Sequence, residues 1–251
     1  IDLTQAVLAI VPVELHGAAP RHFVIDTGAT TTMLDARFAT ALGLAATGTL
    51  RIVAASGALS AASGVAAGLT IGGLSFDRLP VSWTSLDTLR TEDRRIMGVI
   101  GQDVLSRITM TIDYARRRLR LGTAPCPPGD AAAAIERADG RPAIAARVRS
   151  RGGARDVRLV IDSGANALVL FDRNAGQKPA GTAGVRLTTH AGAPAASLVP
   201  RAEVTIDDVA VEGAAVVVQP SEPRHEDGLL PASWFSRVCI DGPRDVAVLS
   251  R

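Results

Sequence analysis

Two short segments of the chain repeat each other, and each carries an aspartate at the same place. Residues 23–29 read FVIDTGA, and residues 159–165 read LVIDSGA. Each copy places an aspartate, Asp26 or Asp162, between an apolar run and a small hydroxyl residue followed by glycine. Two carboxylates held close together cannot both stay ionised, so one keeps a proton and the pair can act as acid and base. The repeat therefore predicts one shared site with a carboxylate from each half of the chain.

Length and composition set the limits of the interpretation. A chain of 251 residues fits two units of about 125 residues each. Aromatic residues make up 3% of the chain and the net charge is only +2, with the arginines scattered. Nucleic-acid binding uses aromatic platforms and basic patches, so this composition argues against it. No apolar run reaches the length that a transmembrane helix needs.

Short β-branched runs separated by Gly, Pro and Asp predict an all-β fold. In the first half we expect strands at 7–15, 21–26, 50–54, 66–71, 79–83 and 110–121, with a short helix at 34–42. In the second half we expect strands at 143–149, 157–162, 185–189, 202–206, 214–218 and 238–249. The two series follow the same order, which indicates a duplicated unit.

The sequence divides into two lobes joined by a linker. We expect the first lobe at 1–124, the linker at 125–141 and the second lobe at 142–251, with a helical turn or two at 131–138. Cys126 and Cys239 are the only cysteines. They either form one disulfide in an exported protein or are two buried thiols, and spacing alone does not decide between these. We expect export, to the periplasm or the medium, rather than a cytoplasmic location.

The residues around both aspartates resemble the retropepsin-like and pepsin-like aspartic proteases. DTGA is the retroviral form of their motif, and VIGQDVL at 99–105 resembles their hydrophobic-hydrophobic-glycine segment and the short helix after it. The strand at 108–114 resembles the one that completes such a lobe. The likeness covers nearly the whole chain. It implies two homologous lobes, built as duplicated closed β-barrel-like units, with the active site at the lobe junction.

The resemblance implies that Asp26 and Asp162 are catalytic. A water held between them would be the nucleophile, with the ionised carboxylate as base and the protonated one polarising the scissile carbonyl. The predicted function is an aspartic endopeptidase that needs no metal or cofactor and takes a polypeptide substrate. One chain already contains both carboxylates, so we expect a monomer.

Four neighbouring residues are expected to support the pair. The resemblance implies that the hydroxyls of Thr27 and Ser163 bond backbone groups of the opposite motif across the junction. Gly28 and Gly164 permit a tight turn that a side chain would obstruct.

Two loops rich in small residues are candidates for flaps over the cleft. Each could equally be an ordinary hairpin loop. The flap candidates are Ala55, Ser56 and Gly57 in the first lobe, and His190, Ala191 and Gly192 in the second. We expect an apolar side-chain preference, because the sequence contains no obvious charged pocket.

Ala29 and Ala165 occupy positions where pepsin-like enzymes often have Ser or Thr. A hydroxyl there would bond the ionised aspartate and favour its charged form. Its loss makes the carboxylates easier to protonate, so we expect a weakly acidic pH optimum.

The second lobe departs from the pattern at one place. Pro231 stands where the first lobe has Gly101, and proline removes a backbone donor and fixes φ. This departure favours an alternative function, that of a non-catalytic peptide- or protein-binding module that kept the fold. The four histidines show no metal-ligand spacing, so no metal site is predicted.

Overall fold

The computed structural model describes residues 1–4, 7–55, 57–150, 153–172, 183–186, 195–220 and 222–251. The strands of the first lobe are β1 (Asp2–Leu3), β2 (Ala9–Leu15), β3 (Arg21–Ile25), β4 (Met33–Asp35), β5 (Gly48–Ala54), β6 (Gly57–Ile71), β7 (Leu74–Thr84) and β8 (Ile96–Ile100). Its helices are α1 (Ala36–Ala41), α2 (Asp87–Glu92) and α3 (Gln102–Leu105).

Most of the described residues in the rest of the chain lie in strands. Its strands are β9 (Thr109–Asp113), β10 (Arg118–Gly122), β11 (Ala131–Ala134), β12 (Glu136–Ala138), β13 (Arg141–Ser150), β14 (Gly153–Asp162), β15 (Leu168–Phe171), β16 (Ala183–Arg186), β17 (Ala195–Ile206), β18 (Val209–Val218), β19 (Gly228–Pro231), β20 (Arg237–Asp241) and β21 (Val246–Ser250). Two 3-10 turns cover Ala232–Trp234 and Gly242–Arg244. The predicted all-β class is confirmed.

The two lobes have the same strand topology. The first sheet has the order β1-β2-β3-β8-β4-β7-β6-β5, and the third has the order β12-β13-β14-β19-β15-β18-β17-β16. In each, one further pairing closes a barrel: β2 with β6 in the first lobe, and β13 with β17 in the second. The predicted duplication into closed β-barrel-like units is therefore confirmed.

A five-stranded sheet with the order β10-β9-β20-β21-β11 lies between these lobes. The antiparallel β9–β20 pair joins a strand of the first half to a strand of the second, with Ile112 opposite Val238. Since both side chains are fully buried, this sheet ties the lobes together through a shared apolar core.

The segment between the lobes differs from the sequence prediction. A helical turn was expected at 131–138, but β11 pairs with β21 and β12 pairs with β13. The helix prediction is wrong, because edge positions on two sheets offer the alanine run backbone partners that outweigh its helix propensity. The strand expected at 110–121 is instead the hairpin of β9 and β10.

Cys126 and Cys239 form a disulfide, with their Cα atoms 5.7 Å apart. The bond fastens the segment that leaves the first lobe to β20 in the middle of the five-stranded sheet. Of the two alternatives left open by the sequence, the structure has the paired one.

Candidate active site

Each aspartate lies at the carboxyl end of a strand that is held in a parallel pair. β3 pairs with β8 and leads directly into Asp26, while β14 pairs with β19 and ends at Asp162. The apolar residues before each aspartate are buried, so the strands are fixed on the core and the carboxylates emerge at the junction of the lobes. The sequence repeat thus becomes two structurally equivalent strand ends that face each other.

The two hydroxyl residues hold the motifs together across the junction. The amide of Thr27 donates to Ser163 Oγ at 3.0 Å, and the amide of Ser163 donates to Thr27 Oγ1 at 2.9 Å. The Thr27 hydroxyl donates to the carbonyl of Ile161 at 2.7 Å, and the Ser163 hydroxyl donates to that of Ile25 at 2.8 Å. Both side chains are buried, so these bonds are shielded from water.

Each glycine gives room to the carboxyl group of the opposite motif. A Cβ on Gly28 would lie 2.5 Å from Asp162 Oδ2, and a Cβ on Gly164 would lie 2.7 Å from Asp26 Cγ. Real Cβ atoms do not approach other heavy atoms this closely. The glycines therefore allow the two carboxyl groups to cross into contact, a stricter requirement than the tight turn expected from sequence.

The two carboxyl groups are not equivalent. The Asp26 carboxylate accepts from the amides of Gly28 at 2.8 Å and Ala29 at 3.1 Å, whereas Asp162 accepts from the amide of Gly164 at 2.7 Å. Asp162 is buried, and a side-chain hydrogen bond joins it to Asp26. Burial, together with the adjacent Asp26 charge, raises the pKa of Asp162 well above its ordinary value of 3.8. This asymmetry favours a shared proton that resides on Asp162.

A cavity of about 290 Å³ opens over the pair and is lined by both aspartates. Apolar side chains from both lobes form much of its wall, among them Leu8, Met33, Val99, Val169 and Leu229. The cavity therefore lies at the junction of the two lobes.

The comparisons with known proteins agree with this geometry. Residues 11–104 match the family model described as aspartyl protease. This match covers less than half of the chain, and the whole chain has the aspartic-protease fold. That fold rests on a match to the crystal structure of an aspartic proteinase from Irpex lacteus. The match covers 98% of this chain and 94% of the other, with a TM-score of 0.59 and 14% identity.

A second solved structure, a retropepsin-like aspartic protease from Rickettsia conorii, matches over 43% of this chain and 77% of its own. Its identity is 22% and its TM-score 0.33. A search of curated protein sequences finds no match. The resemblance to aspartic proteases predicted from the sequence is confirmed for the fold, and residues 11–104 also match the family model.

The flap candidates fall into two groups. In the first lobe Ala54 pairs with Gly57 at the tip of the β5–β6 hairpin, and Ala55 lines the cavity whereas Gly57 does not. The flap role of this hairpin stays a prediction. Ser56 lies outside the described residues, as do His190, Ala191 and Gly192 of the second lobe.

The departure at Pro231 does not disturb strand pairing in the second lobe. Pro231 lies opposite Asp162 at the end of the parallel β14–β19 pair, one position beyond Leu230, which pairs with Ile161 as Ile100 pairs with Ile25 in the first lobe. In the first lobe a Cβ at Gly101 would lie 2.6 Å from the backbone of Thr31, so glycine is required only there.

Gln102, at the start of α3, supports the first motif and was missed from the sequence. Its buried side-chain amide donates to the carbonyl of Thr27 at 3.0 Å, and Arg137 donates to its Oε1 at 3.3 Å. Arg137 in turn donates to Asp245 at 2.7 Å. The chain of bonds runs from the first motif through the linker to the second half, a connection that no local pattern reveals.

Tyr114 follows directly after β9. The sequence indicated a core residue, and the ring does pack against the main core. Burial, together with the charges of Asp162 and Asp26, raises its pKa, and its hydroxyl is buried without a hydrogen-bond partner. Tyr114 therefore keeps a neutral, protonated hydroxyl in the interior of the protein.

Three charged residues of the second lobe were also missed. Arg141 and Arg224 line the cavity, and Glu226 is fully buried beside them. The expectation that no charged pocket exists is wrong, and the sequence did not reveal the cluster because Arg141 is more than 80 positions from the other two and none of them belongs to a motif.

Among the described residues, no group of three or more histidine, cysteine, aspartate or glutamate side chains could hold a metal ion. Within the same part of the chain, no helix has the length and apolar character needed to cross a membrane.

Proposed function

We propose that this protein is an aspartic endopeptidase that hydrolyses peptide bonds with a water activated between Asp26 and Asp162. The observation that carries the proposal is the crossing of the two motifs. Each glycine leaves room for the opposite carboxyl group, and a side-chain hydrogen bond joins the pair. Paired carboxyls that share a proton serve as base and acid at once.

The asymmetry of the pair supports an assignment of roles. Asp26 accepts two backbone hydrogen bonds, which stabilise its ionised form, while burial keeps the proton on Asp162. In the proposed first step Asp26 takes a proton from the water, whose oxygen attacks the carbonyl carbon of the scissile bond. Asp162 gives its proton to the carbonyl oxygen, which leaves a neutral tetrahedral intermediate.

The second step returns the site to its starting state. Asp26 transfers the proton it took to the leaving nitrogen, and the carbon–nitrogen bond breaks. Asp162 recovers its proton from the intermediate hydroxyl as the carboxyl product forms. Water is consumed, and no other reactant is needed.

The proposed substrate is an extended polypeptide that lies across the junction beneath the β5–β6 hairpin, whose Ala54 and Ala55 line the cavity. Backbone hydrogen bonds to that hairpin would fix it by strand addition. Because both carboxyls come from one chain, the proposed active form is a monomer. The Cys126–Cys239 disulfide supports export, since such bonds persist in oxidising compartments.

Cleavage of a diverse peptide library across a pH series tests the proposal. Wild type is expected to cleave and to be inhibited by pepstatin. Asp26→Asn and Asp162→Asn should each lower kcat/KM by about 1000-fold or more, the order of magnitude expected when an acid–base pair is lost. The exposed Asp207→Asn is the matched control and should cleave like wild type. If wild type is as inert as Asp26→Asn but still binds peptides, the binding-module alternative replaces the protease.

A further inference from the structure

The wall of the cavity on the second-lobe side contains a buried ionic cluster, formed by Arg141, Arg224 and Glu226. Arg141 Nη2 lies 3.0 Å from Glu226 Oε2, and Arg224 Nη1 lies 3.7 Å from Glu226 Oε1. The side chains are 7%, 4% and 0% exposed, respectively. Both arginines line the same cavity as the two aspartates.

The equivalent place in the first lobe is apolar. Val24 pairs with Val99 as Val160 pairs with Leu229, and the residue three positions before each partner is Ile96 in the first lobe and Glu226 in the second. Ile96 is fully buried in a cluster of apolar side chains that includes Leu8, Met33 and Leu86.

A buried ion cluster stabilises a fold no better than apolar packing of the same volume. In the first lobe the same strand topology is packed with apolar side chains around Ile96. Stability therefore gives no reason for Glu226 and its arginines in the second lobe. Their place on the cavity wall points to recognition of a ligand.

Arg224 also lies where the second lobe meets the β5–β6 hairpin. It donates a hydrogen bond to the carbonyl of Ala54, and its guanidinium stacks 4.9 Å from the centre of the Phe171 ring. Ala55 packs against the apolar cluster of the second lobe. Arg224 therefore lines the same cavity as Ala54 and Ala55 of the hairpin.

The charge of the cluster indicates what it would bind. Arg141 and Arg224 contribute two positive charges and Glu226 one negative charge, while Asp139, 3.3 Å from Arg141, is half exposed at the rim. Arg141 is close enough to the catalytic pair to lower the pKa of Asp162, against the larger effect of burial. A guanidinium group pairs with a carboxylate through a fork of two N–H donors, which gives both affinity and direction.

We propose that Arg141 and Arg224 form a cationic subsite on the Asp162 side of the cleft, which selects a substrate with a glutamate or aspartate side chain near the scissile bond. The inference rests on the proposed protease function. It replaces the apolar preference expected from the sequence on that side, while the first-lobe side, lined by Leu8 and Met33, remains apolar.

Matched peptides test the subsite, each differing only by Glu, Gln or Leu at one position along a cleaved sequence. At one position, kcat/KM for wild type is expected to favour Glu over Gln by at least 10-fold, as charge-assisted pairing in a desolvated site allows. Arg224→Met should bring that ratio close to 1, and Arg224→Lys should keep part of it. The exposed Arg201→Met, which loses only a surface pair with Glu212, should leave the ratio unchanged.

The Glu-to-Gln ratio of kcat/KM in wild type can overturn the proposal without any variant. A ratio near 1 at every position overturns the subsite, as does a ratio that survives Arg224→Met.

The same labelled peptides are also bound to Asp26→Asn and followed by fluorescence anisotropy. Tighter binding of the Glu peptide without any cleavage by wild type upholds the subsite and overturns the protease. Cleavage without a Glu preference does the reverse, and the absence of both binding and cleavage overturns both proposals.

Discussion

The backbone amides of Thr27 and Ser163 each donate a hydrogen bond to the side-chain hydroxyl of the other residue, at 3.0 and 2.9 Å. Each hydroxyl also donates to a backbone carbonyl on the opposite strand. Each of the two residues therefore pairs one backbone donor and one backbone acceptor of the opposite motif. Buried donors and acceptors must be paired, and here each lobe can pair them only through the other. The relationship couples the correct placement of the carboxyls to the docking of the lobes.

Removing one of these hydroxyls is expected to destabilise the protein. Thr27→Ala leaves the Ser163 amide and the Ile161 carbonyl without their partner in a buried site, which costs about 1–3 kcal/mol of unfolding free energy. Thr27→Ser keeps the hydroxyl and should recover most of the loss. Urea unfolding measures both. Thr40→Ala, which loses only an exposed bond within α1, is the control and should fall within about 0.5 kcal/mol of wild type. Equal stability of Thr27→Ala and wild type would contradict the coupling.

A methyl group at Gly28 should abolish activity while leaving the fold intact. The added Cβ lies 2.5 Å from Asp162 Oδ2, the end of a side chain that can rotate away, so the pair separates and the backbone need not move. We expect Gly28→Ala to lower kcat/KM by about 100-fold or more, as displacement of reacting groups by about 1 Å does. Gly122→Ala, where a Cβ meets nothing within 4 Å, should have no effect. Full activity in Gly28→Ala would exclude a close carboxyl pair.

The raised pKa of Asp162 links stability to pH. The folded protein holds this proton more tightly than the unfolded chain, so its contribution to stability is greatest below pH 3.8 and is lost as pH rises toward the folded value. Asp162→Asn removes the titration. The stability of the variant minus that of wild type should therefore be larger at pH 7 than at pH 3. Thermal unfolding at both values measures the difference. Asp207→Asn should show no such trend, and a gain confined to pH 3 would reverse the sign and refute the assignment.

The pH dependence of activity is expected to peak in the weakly acidic range. The working site needs one proton on the pair, and the burial that raises the pKa of Asp162 extends this state toward higher pH. Ala165→Thr would offer a hydroxyl to the Asp162 carboxyl and favour its ionised form, so it should move the basic limb of the kcat/KM profile to lower pH. Ala165→Val has the same shape without the hydroxyl and is the control. A wild-type optimum near pH 2 would contradict this account.

Reduction of the Cys126–Cys239 bond should lower stability without abolishing the fold. The bond closes a loop across 113 residues, and a cross-link over such a length contributes about 2–5 kcal/mol by restricting the unfolded chain. The double variant Cys126→Ser with Cys239→Ser should therefore unfold at lower urea concentration than the oxidised protein. Thiol labelling under denaturing conditions, with and without reductant, verifies the pairing. Equal urea midpoints for the oxidised protein and the double variant would show that the bond does not stabilise the fold.

Several features could be predicted from local patterns. The strands at both motifs were predictable because β-branched runs that end in Asp and Gly signal a strand and its turn within a few residues. The duplication followed from the repeated order of such signals. The linker was predicted incorrectly, because the structure of the alanine run at 131–134 is decided by the neighbouring β21 and not by its own propensity.

The sequence by itself determined that Asp26 and Asp162 are the candidate pair, since one motif occurs in each half and predicts a shared site. Only the tertiary structure decided that the pair is asymmetric, because burial depends on which side chains surround each carboxyl group. It likewise decided that Arg141 and Arg224 share Glu226 on the cavity wall. Residues more than 80 positions apart are brought together there by barrel closure and lobe docking, long-range contacts that leave no periodic or local trace in the chain.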